Sequence, residues 1–223
     1  MAGDLTVAVA GRVEYARGLA WQETLLARRQ VGPPDLLLLL EHEPVYTLGR
    51  GADEQFLGAA RSSGVPVVRV GRGGQVTYHG PGQLIGYPII GLRDHRPDVH
   101  WYVRTLEQVL IDVLEDVGIR AGRIDGKTGV WVDGRRKIAS IGVGIRRWVT
   151  WHGFALNVGP DLNGFAPITP CGIDGVQMTS VGNEGGPSDV DVMLPLVRDR
   201  FVAVFGYATW SPMSGGAATE VRE

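Results

Sequence analysis

The chain has 223 residues, of which 44% are hydrophobic and 21% charged, and its formal net charge is −2. That length suits one large globular domain, and the small net charge gives no bulk electrostatic basis for binding nucleic acid or an anionic membrane. The longest apolar run, Leu36–Leu40, is too short to span a bilayer, and the first residues lack a signal-peptide pattern. A single cysteine cannot form an internal disulfide. We therefore expect a cytoplasmic protein.

The first half of the chain predicts helices and strands in irregular alternation. Weak alternation predicts a strand over 4–10, and apolar positions at helical spacing predict a helix over 14–30. The continuous run Leu36–Leu40 predicts a strand buried on both faces. Further predicted elements are strands at 45–48, 65–70 and 84–90, a short helix at 53–61, and an amphipathic helix at about 98–117.

The second half is predicted to be mainly β-structure followed by one helix. Strands are predicted at 129–132, 136–144 and 149–158, joined by turns at Asp133-Gly134 and Arg146-Arg147. A last helix over about 189–206 is predicted to be capped by Ser188 and bent near Pro195. We predict one domain over 1–207, a disordered tail over 208–223, and an α+β fold whose largely mixed or antiparallel sheet is covered by helices.

Residues 72–87 are the most informative stretch of the sequence. Gly73, Gly74, Gly80 and Gly82 crowd around one imidazole, that of His79. Because glycine lets the backbone approach a ligand closely, the stretch favours a binding surface between two strands. The alternative is an ordinary glycine-rich hairpin.

Residues 121–128 fit a relaxed phosphate-loop pattern, but its structural context is reversed. A phosphate loop lies between a buried strand and the N-terminus of a helix. Here a predicted helix precedes the segment, a predicted strand follows it, and Ala121 stands where the first glycine belongs. We predict that this segment does not bind a nucleotide.

The five histidines show no paired metal-ligand spacing with one another or with the cysteine. His95 and His100 flank a proline-containing turn, and we expect both at the surface. His152 precedes the small residues of Gly153-Phe154-Ala155. Small residues within a strand indicate close approach of the backbone to a ligand or to a packed helix, and both alternatives stay open.

Cys171 is the only thiol, and Lys137 is one of two lysines in a chain with twenty arginines. Pro170 fixes the chain before Cys171 and Gly172 frees it afterwards, which suits the presentation of a nucleophile. A thiolate forms at neutral pH only beside a cation or a base, for which Lys137 and His79 are the candidates. The alternatives are an inert buried cysteine and a solvated basic turn at 135–137.

Four segments occur in the order seen in bacterial lipoyl(octanoyl) transferases, namely Arg72–Leu84 (RGGQVTYHGPGQL), Lys137–Gly142 (KIASIG), His152–Asn157 (HGFALN) and Thr169–Ile173 (TPCGI). On these segments the chain closely resembles that family from about residue 5 to 205. The resemblance implies the mixed α/β sandwich of the biotin/lipoate protein ligase catalytic domain. It also implies transfer of an octanoyl group from acyl carrier protein to a lysine of apo lipoyl domains, in 2-oxoacid dehydrogenase complexes and the glycine-cleavage carrier protein.

The resemblance further implies roles for individual residues. Cys171 would hold the acyl group as a thioester, and Lys137 would act as acid and base. The implied substrate-binding residues are Arg72, Gly73, Gly74, Gln75, Val76, Thr77, Tyr78, His79, Ser140, Ile141, Gly142, Gly153, Phe154 and Ala155. No metal and no cofactor, ATP included, is implied, and we expect a monomer with no nucleic-acid or membrane partner.

Three rival functions stay open on the sequence alone. They are an ATP-dependent lipoate or biotin ligase, a cysteine hydrolase that uses Cys171 and His79, and a non-catalytic lipoyl-domain binding module. Acyl carrier proteins are acidic, so basic side chains are candidates for a docking surface. These candidates are Arg50, Arg72, Arg135, Arg136, Arg146 and Arg147.

Overall fold

A computed structural model describes residues 3–32, 34–173 and 175–213 of the chain. The strands are, in chain order, β1 (Leu5–Val13), β2 (Asp35–His42), β3 (Val45–Leu48), β4 (Val67–Arg69), β5 (Val76–His79), β6 (Gln83–Ile89), β7 (Ala121–Ile124), β8 (Lys127–Val132), β9 (Arg136–Arg146), β10 (Val149–Asn157), β11 (Gln177–Met178) and β12 (Trp210–Pro212). The helices are α1 (Tyr15–Val31), α2 (Val99–Asp116) and α3 (Val190–Phe205), with short 3₁₀ segments at Glu54–Ser62, Leu92–Asp94, Asn163–Phe165 and Pro170–Gly172. Each predicted helix and strand is therefore present, within a few residues of its predicted bounds.

Nine of the described strands form one mixed sheet. Their order is β12-β1-β2-β6-β10-β9-β8-β7, with β11 paired to β9. The pairs from β2 through β6, β10, β9 and β8 to β7 are antiparallel. The β1 strand runs parallel to β2 and β12, and β11 runs parallel to β9. This architecture confirms the predicted α+β class with a largely mixed or antiparallel sheet.

Helices cover both faces of this sheet, and the leucine run of β2 shows how. Leu37 and Leu39 pack in the core beneath α2 and α3, together with Leu106, Val109 and Phe201. The alternate residues Leu36, Leu38 and Leu40 pack on the other face, against Trp21, Leu25 and Leu26 of α1. Successive side chains of a strand point to opposite faces, so a continuous apolar run is expected where both faces are buried.

A second, three-stranded sheet holds the glycine-rich stretch. In this sheet β3 pairs parallel with β4 and antiparallel with β5. The β5 strand ends at His79, and β6, which begins at Gln83, belongs to the large sheet. Gly80–Gly82 therefore carry the chain from one sheet to the other. The hairpin alternative for residues 72–87 is wrong, and His79 lies at the junction between the sheets.

One of the two predicted turns is confirmed, and the other turn and the helix cap need adjustment. The turn at Asp133-Gly134 is confirmed, with positive φ at both residues. The β9–β10 turn centres on Arg147-Trp148 rather than Arg146-Arg147, since Arg146 pairs with Val149. Asp189, not Ser188, caps α3, because its carboxylate accepts the N–H of Asp191.

The chain beyond the last helix differs from the expected disordered tail. Trp210–Pro212 form β12 against β1, and the Met213 N–H donates to the Val7 carbonyl. The remainder of the predicted tail, 214–223, lies outside the described residues. None of the described helices combines the length and apolarity needed to cross a membrane.

The prediction that His95 lies at the surface is wrong. Its Nε2 is 2.7 Å from Asp35 Oδ2, and its side chain is only 6% exposed. Asp35 also accepts hydrogen bonds from Arg29, Tyr207 and the Gly91 N–H. We call Arg29, Asp35, His95 and Tyr207 the Asp35 cluster, and it joins α1 and β2 to the chain just after α3.

Candidate active site

Cys171 lies in a short strained turn. Its backbone has φ 59° and ψ 12°, a left-handed conformation that residues other than glycine seldom adopt. Gly172 follows with φ 66°, and the turn is anchored where the Thr169 N–H donates to the Phe56 carbonyl at 2.9 Å. The thiol is partly exposed. The surrounding structure thus holds Cys171 in a conformation that presents its sulfur, as expected of a nucleophile rather than of an inert core cysteine.

Lys137 brings a buried amine to that sulfur. Its side chain extends from β9 and is only 2% exposed, so the solvated-turn alternative is wrong. The Lys137 Nζ donates to Cys171 Sγ at 3.1 Å and to the Thr128 carbonyl at 3.0 Å. It also lies 5.1 Å from the ring centre of Trp131. A cation or base therefore stands in direct contact with the thiol.

A cavity of about 300 Å³ opens beside this pair. Its apolar lining comes from Ile141, Phe154, Ala155 and Ile173. Gly142 also lines it, and a Cβ at that position would lie 2.9 Å from Arg72 Cδ. The absence of a side chain at 142 thus lets Arg72 pack closely against β9 beside the cavity.

The strand register gives this cavity a direction. Ser140 of β9, whose Oγ is 3.9 Å from Cys171 Sγ, pairs with Ala155 of β10. Three residues further along, Val143 pairs with His152. At about 3.3 Å per residue, His152 lies roughly 10 Å along the ladder from the level of the thiol. The cavity therefore runs from Cys171 at one end to an inner end at His152.

The inner part of the cavity holds a buried cation, Arg72. Its guanidinium donates to Thr47 O at 2.7 Å and Thr47 Oγ1 at 2.8 Å, and to the carbonyls of Gly73 and Gln75. No carboxylate pairs with Arg72 within the described part of the chain. Burial lowers the pKa of Arg72, opposed by its interactions with Tyr15, Cys171 and Tyr87. The guanidinium is consequently held by acceptors that carry no formal charge.

Three histidines near Arg72 are held neutral. Burial, and then the neighbouring His42, lower the pKa of His79 to about 3. Burial and the charge of Arg72 lower the pKa of His152 to about 3, and burial lowers that of His42 to about 4. The ring of His79 is fixed by Gln83 Oε1 at 2.7 Å from Nδ1. These imidazoles therefore act as neutral hydrogen-bonding groups at physiological pH.

Two polar atoms of the inner end are buried without a partner in the described structure, Nε2 of His152 and Oγ1 of Thr77. Both residues line the cavity. His152 also has a φ of 54°, unusual for a residue within a strand. Buried polar groups are normally hydrogen-bonded, so this end of the cavity is built to contact a ligand or water.

The structure brings together most of the predicted site residues. The cavity is lined by Cys171, Lys137, Arg72, Gly74, Gln75, Thr77, His79, Ser140, Ile141, Gly142, Gly153, Phe154 and Ala155. Three others lie elsewhere. Val76 and Tyr78 point into the core of the small sheet, because side chains alternate along β5, and Gly73 instead donates its N–H to the Val143 carbonyl.

Sequence reasoning missed several lining residues, namely Tyr15, Gly126, Lys127, Thr128 and Ile173. Three of them belong to the segment whose phosphate-loop pattern was rejected. The structural context predicted for that segment is confirmed, because α2 precedes it and β7 and β8 form an antiparallel hairpin there. The sequence signal that could have found Lys127 is the rarity of lysine in this chain. In the structure both lysines lie near the ring of Trp131.

The arginines proposed for docking divide into two groups. Arg72 is buried in the cavity, and Arg136 is paired with Glu184 and Asp133, so neither fits a free docking surface. Arg50, Arg135, Arg146 and Arg147 are exposed. No group of three or more metal-ligating side chains is found in the ranges that the structure describes.

Comparison with known sequences gives a consistent family. Residues 14–206 match the family described as the lipoyl protein ligase A/B catalytic domain. The chain is 52% identical over 198 residues to an octanoyltransferase of Gloeobacter violaceus, covering 88% of each chain. It is 51% identical over 199 residues to an octanoyltransferase of Synechococcus elongatus, covering 88% of this chain and 83% of that one.

Solved structures share the fold at low identity. A bipartite lipoate protein ligase from Thermoplasma acidophilum superposes with a TM-score of 0.77 at 16% identity, covering 98% of this chain and 91% of that one. A lipoate-protein ligase A bound with ATP gives a TM-score of 0.70 at 17% identity, covering 99% and 93%. At such identities the likeness establishes the fold, and the chemistry must come from the site.

Proposed function

The chain belongs to the lipoyl protein ligase A/B catalytic family, and we propose that it is an octanoyltransferase that carries the octanoyl group on Cys171. The observation that carries the proposal is the 3.1 Å contact between Lys137 Nζ and Cys171 Sγ at one end of an apolar cavity. Relatives named octanoyltransferase, about half identical to this chain, support the choice of acyl group.

In the first half-reaction the Cys171 thiolate attacks the carbonyl carbon of octanoyl-acyl carrier protein. A carbon–sulfur bond to Cys171 forms, the bond to the carrier sulfur breaks, and the Lys137 ammonium gives its proton to the departing thiolate. The Lys137 ammonium, 3.1 Å from Sγ, stabilises the thiolate before attack. An exchange between two thioesters needs no external energy source.

In the second half-reaction an acceptor lysine of an apo lipoyl domain attacks the Cys171 thioester. The neutral Lys137 amine takes one proton from the incoming ammonium, and a carbon–nitrogen bond forms. The bond between the acyl carbon and Cys171 Sγ then breaks, the Cys171 thiolate leaves, and the second proton of the attacking nitrogen is released to solvent. Arginine cannot perform this proton transfer, because it does not lose its proton in proteins. Each step places negative charge on the acyl oxygen while the tetrahedral intermediate exists.

The acyl chain occupies the apolar part of the cavity. It runs from Cys171 past Ile141 and over the bare backbone of Gly142 towards His152. Burial of each methylene group contributes about 0.8 kcal/mol, so binding strengthens with chain length until the chain meets the polar inner end. The roughly 10 Å run of the strand ladder is comparable to an extended eight-carbon chain.

A transfer assay separates this function from its rivals. The purified protein is given an apo lipoyl domain together with either octanoyl-acyl carrier protein, or octanoate and ATP. We expect octanoylated lipoyl domain in the first mixture only. Product in the second mixture only, unchanged in a Cys171→Ala variant, would identify an ATP-dependent ligase, and free octanoate released without an acceptor would identify a hydrolase.

A further inference from the structure

Glu107 is a fully buried carboxylate that lies outside every motif of the sequence. It extends from α2, and its exposed fraction is 0%. Its Oε2 accepts hydrogen bonds from Arg104 Nη1 at 2.8 Å and Arg123 Nε at 3.0 Å. Its Oε1 accepts the backbone N–H of Gly129 at 3.0 Å. One oxygen is thus held by two cations, and the other holds the backbone of β8.

The peptide group that Glu107 holds is the one that holds Lys137. The N–H of Gly129 and the carbonyl of Thr128 belong to a single peptide unit, which is planar and points these two groups in opposite directions. Glu107 binds the N–H side, and Lys137 Nζ donates to the carbonyl side at 3.0 Å. A displacement or rotation of this unit would move the anchor of the amine that contacts Cys171.

The packing around this peptide leaves little room for adjustment. Gly129 has a φ of 124°, which disfavours any other residue. A Cβ there would lie 2.7 Å from Lys137 Cε and 2.6 Å from the Ala139 carbonyl oxygen. The backbone of β8 therefore packs directly against the Lys137 side chain, and a shift on one side is transmitted to the other.

We propose that Glu107 is a positioning residue that acts through the Thr128–Gly129 peptide to hold Lys137 Nζ against Cys171. The inference rests on the proposed function, in which that contact supplies the acid and base. A carboxylate on the N–H also polarises the peptide and strengthens its carbonyl as an acceptor for the Lys137 ammonium. The alternative is that Glu107 only fastens α2 to β8 and contributes stability alone.

A double-mutant cycle distinguishes these roles. Glu107→Ala and Glu107→Gln are made in the parent and in a Lys137→Met background. The readouts are the melting temperature, kcat and KM for octanoyl transfer, and the rate at which iodoacetamide alkylates Cys171, the only thiol. Asp116→Asn is the matched control, because Asp116 is an α2 carboxylate paired with Arg200 that touches nothing in the site.

We expect Glu107→Ala to lower kcat and the alkylation rate at pH 7 by about ten- to a hundred-fold, with KM nearly unchanged. Glu107→Gln keeps an acceptor for Gly129 and should lower both rates only several-fold, so it also serves if the alanine variant does not fold. Neither change should slow alkylation further in the Lys137→Met background, since the pathway runs through Lys137.

Equal slowing of alkylation in both backgrounds, or parental rates in a folded Glu107→Ala protein, would overturn the proposal. Alkylation uses no substrate, so this cycle does not depend on octanoyl transfer. A parent protein that transfers no octanoyl group but shows the coupling would therefore count against the proposed function and leave the positioning role of Glu107 standing.

Discussion

Arg29 and Arg72 are both buried arginines, each 8% exposed, but their surroundings differ. Arg29 pairs with Asp35 at 2.6 Å and with Asp94. Among the described residues, the Arg72 guanidinium donates hydrogen bonds only to backbone carbonyls and the Thr47 hydroxyl. A buried charge is costly unless it is paired. The cost of burying Arg29 is therefore offset by two carboxylates, whereas that of Arg72 is offset by neutral acceptors alone.

The difference separates scaffold from site. In the Asp35 cluster, burial alone would raise the pKa of Asp35, but hydrogen bonds from His95, the Gly91 N–H and Arg29 outweigh it and hold that pKa below its ordinary value. Around Arg72 the charge has no counter-ion among the residues that the structure describes, and His152 and Thr77 keep atoms without a described partner. Satisfied polar groups fix a fold, whereas unsatisfied ones beside a cavity mark where a ligand completes the set.

The sharpest test of this distinction is Cys171→Ala. We expect octanoyl transfer to fall by more than about 10³-fold, because the covalent route is lost, with little change in melting temperature. The measurement is a transfer assay beside a thermal melt. Transfer within tenfold of the parent rate would break the assignment of the Cys171 end of the cavity as the reactive end.

Acid should destabilise the protein through the buried histidines His42, His79 and His152. Their folded pKa values of about 3 to 4 lie below the ordinary value of 6.5, so below pH 6.5 the unfolded chain binds more protons than the folded one. The free energy of unfolding that these neutral histidines contribute is fully present above pH 6.5. It is lost as pH falls below 6.5, by up to about 1.4 kcal/mol per pH unit for each histidine.

Urea unfolding at pH 7.5, 6.5 and 5.5 measures this slope. His152→Asn is the matched variant, because asparagine tolerates the positive φ of that position but does not titrate. We expect the variant to flatten the slope by up to about 1.4 kcal/mol per pH unit. An identical slope in parent and variant would contradict the view that His152 is buried in its neutral form.

Asp35→Asn should act on stability alone. Removing the carboxylate leaves Arg29 without its buried partner, which we expect to cost about 3 kcal/mol of unfolding free energy. The turnover number of the remaining folded protein should equal that of the parent. Urea unfolding measures the loss of stability, and the transfer assay measures the turnover number. A lower turnover number in fully folded Asp35→Asn protein would contradict the separation of scaffold from site.

Lys137→Arg keeps a cation beside Cys171 but removes the titratable amine. We expect kcat to fall about 10²-fold, the size typical of a lost general acid or base. Steady-state kinetics give the number, and Asp116→Asn, which changes a carboxylate paired with Arg200, is the control. A turnover number of Lys137→Arg close to that of the parent would contradict the acid–base role of Lys137, although an electrostatic role would remain consistent with it.

Most helices, strands and motifs could be predicted from the sequence, because they depend on the pattern of neighbouring residues. The leucine run of β2, the amphipathic spacing of α2 and the turn at Asp133-Gly134 each fix an element through neighbouring residues. The motifs around His79, Lys137 and Cys171 indicated the family that the comparisons establish. Motif order was enough for the family, although no spacing rule gives a distance between side chains.

What could not be predicted depends on contacts between distant segments. Lys137 and Cys171 are 34 residues apart, and they meet because β9 and a strained turn converge on one cavity. Glu107 carries no motif, and only the packing of α2 against β8 gives it a partner in the site. The side chain of Val76 in β5 points away from the cavity, because successive side chains of a strand point to opposite faces. A prediction that treats residues 72–79 as one continuous binding segment misses this alternation.

Intact-protein mass spectrometry tests the central claim most directly. The protein is mixed with octanoyl-acyl carrier protein without ATP, and apo lipoyl domain is added afterwards. We predict a gain of one octanoyl group on Cys171, absent in Cys171→Ala, which disappears on addition of the acceptor and reappears on the acceptor lysine. Transfer to the acceptor without any adduct on Cys171, in parent and variant alike, would contradict the thiol relay.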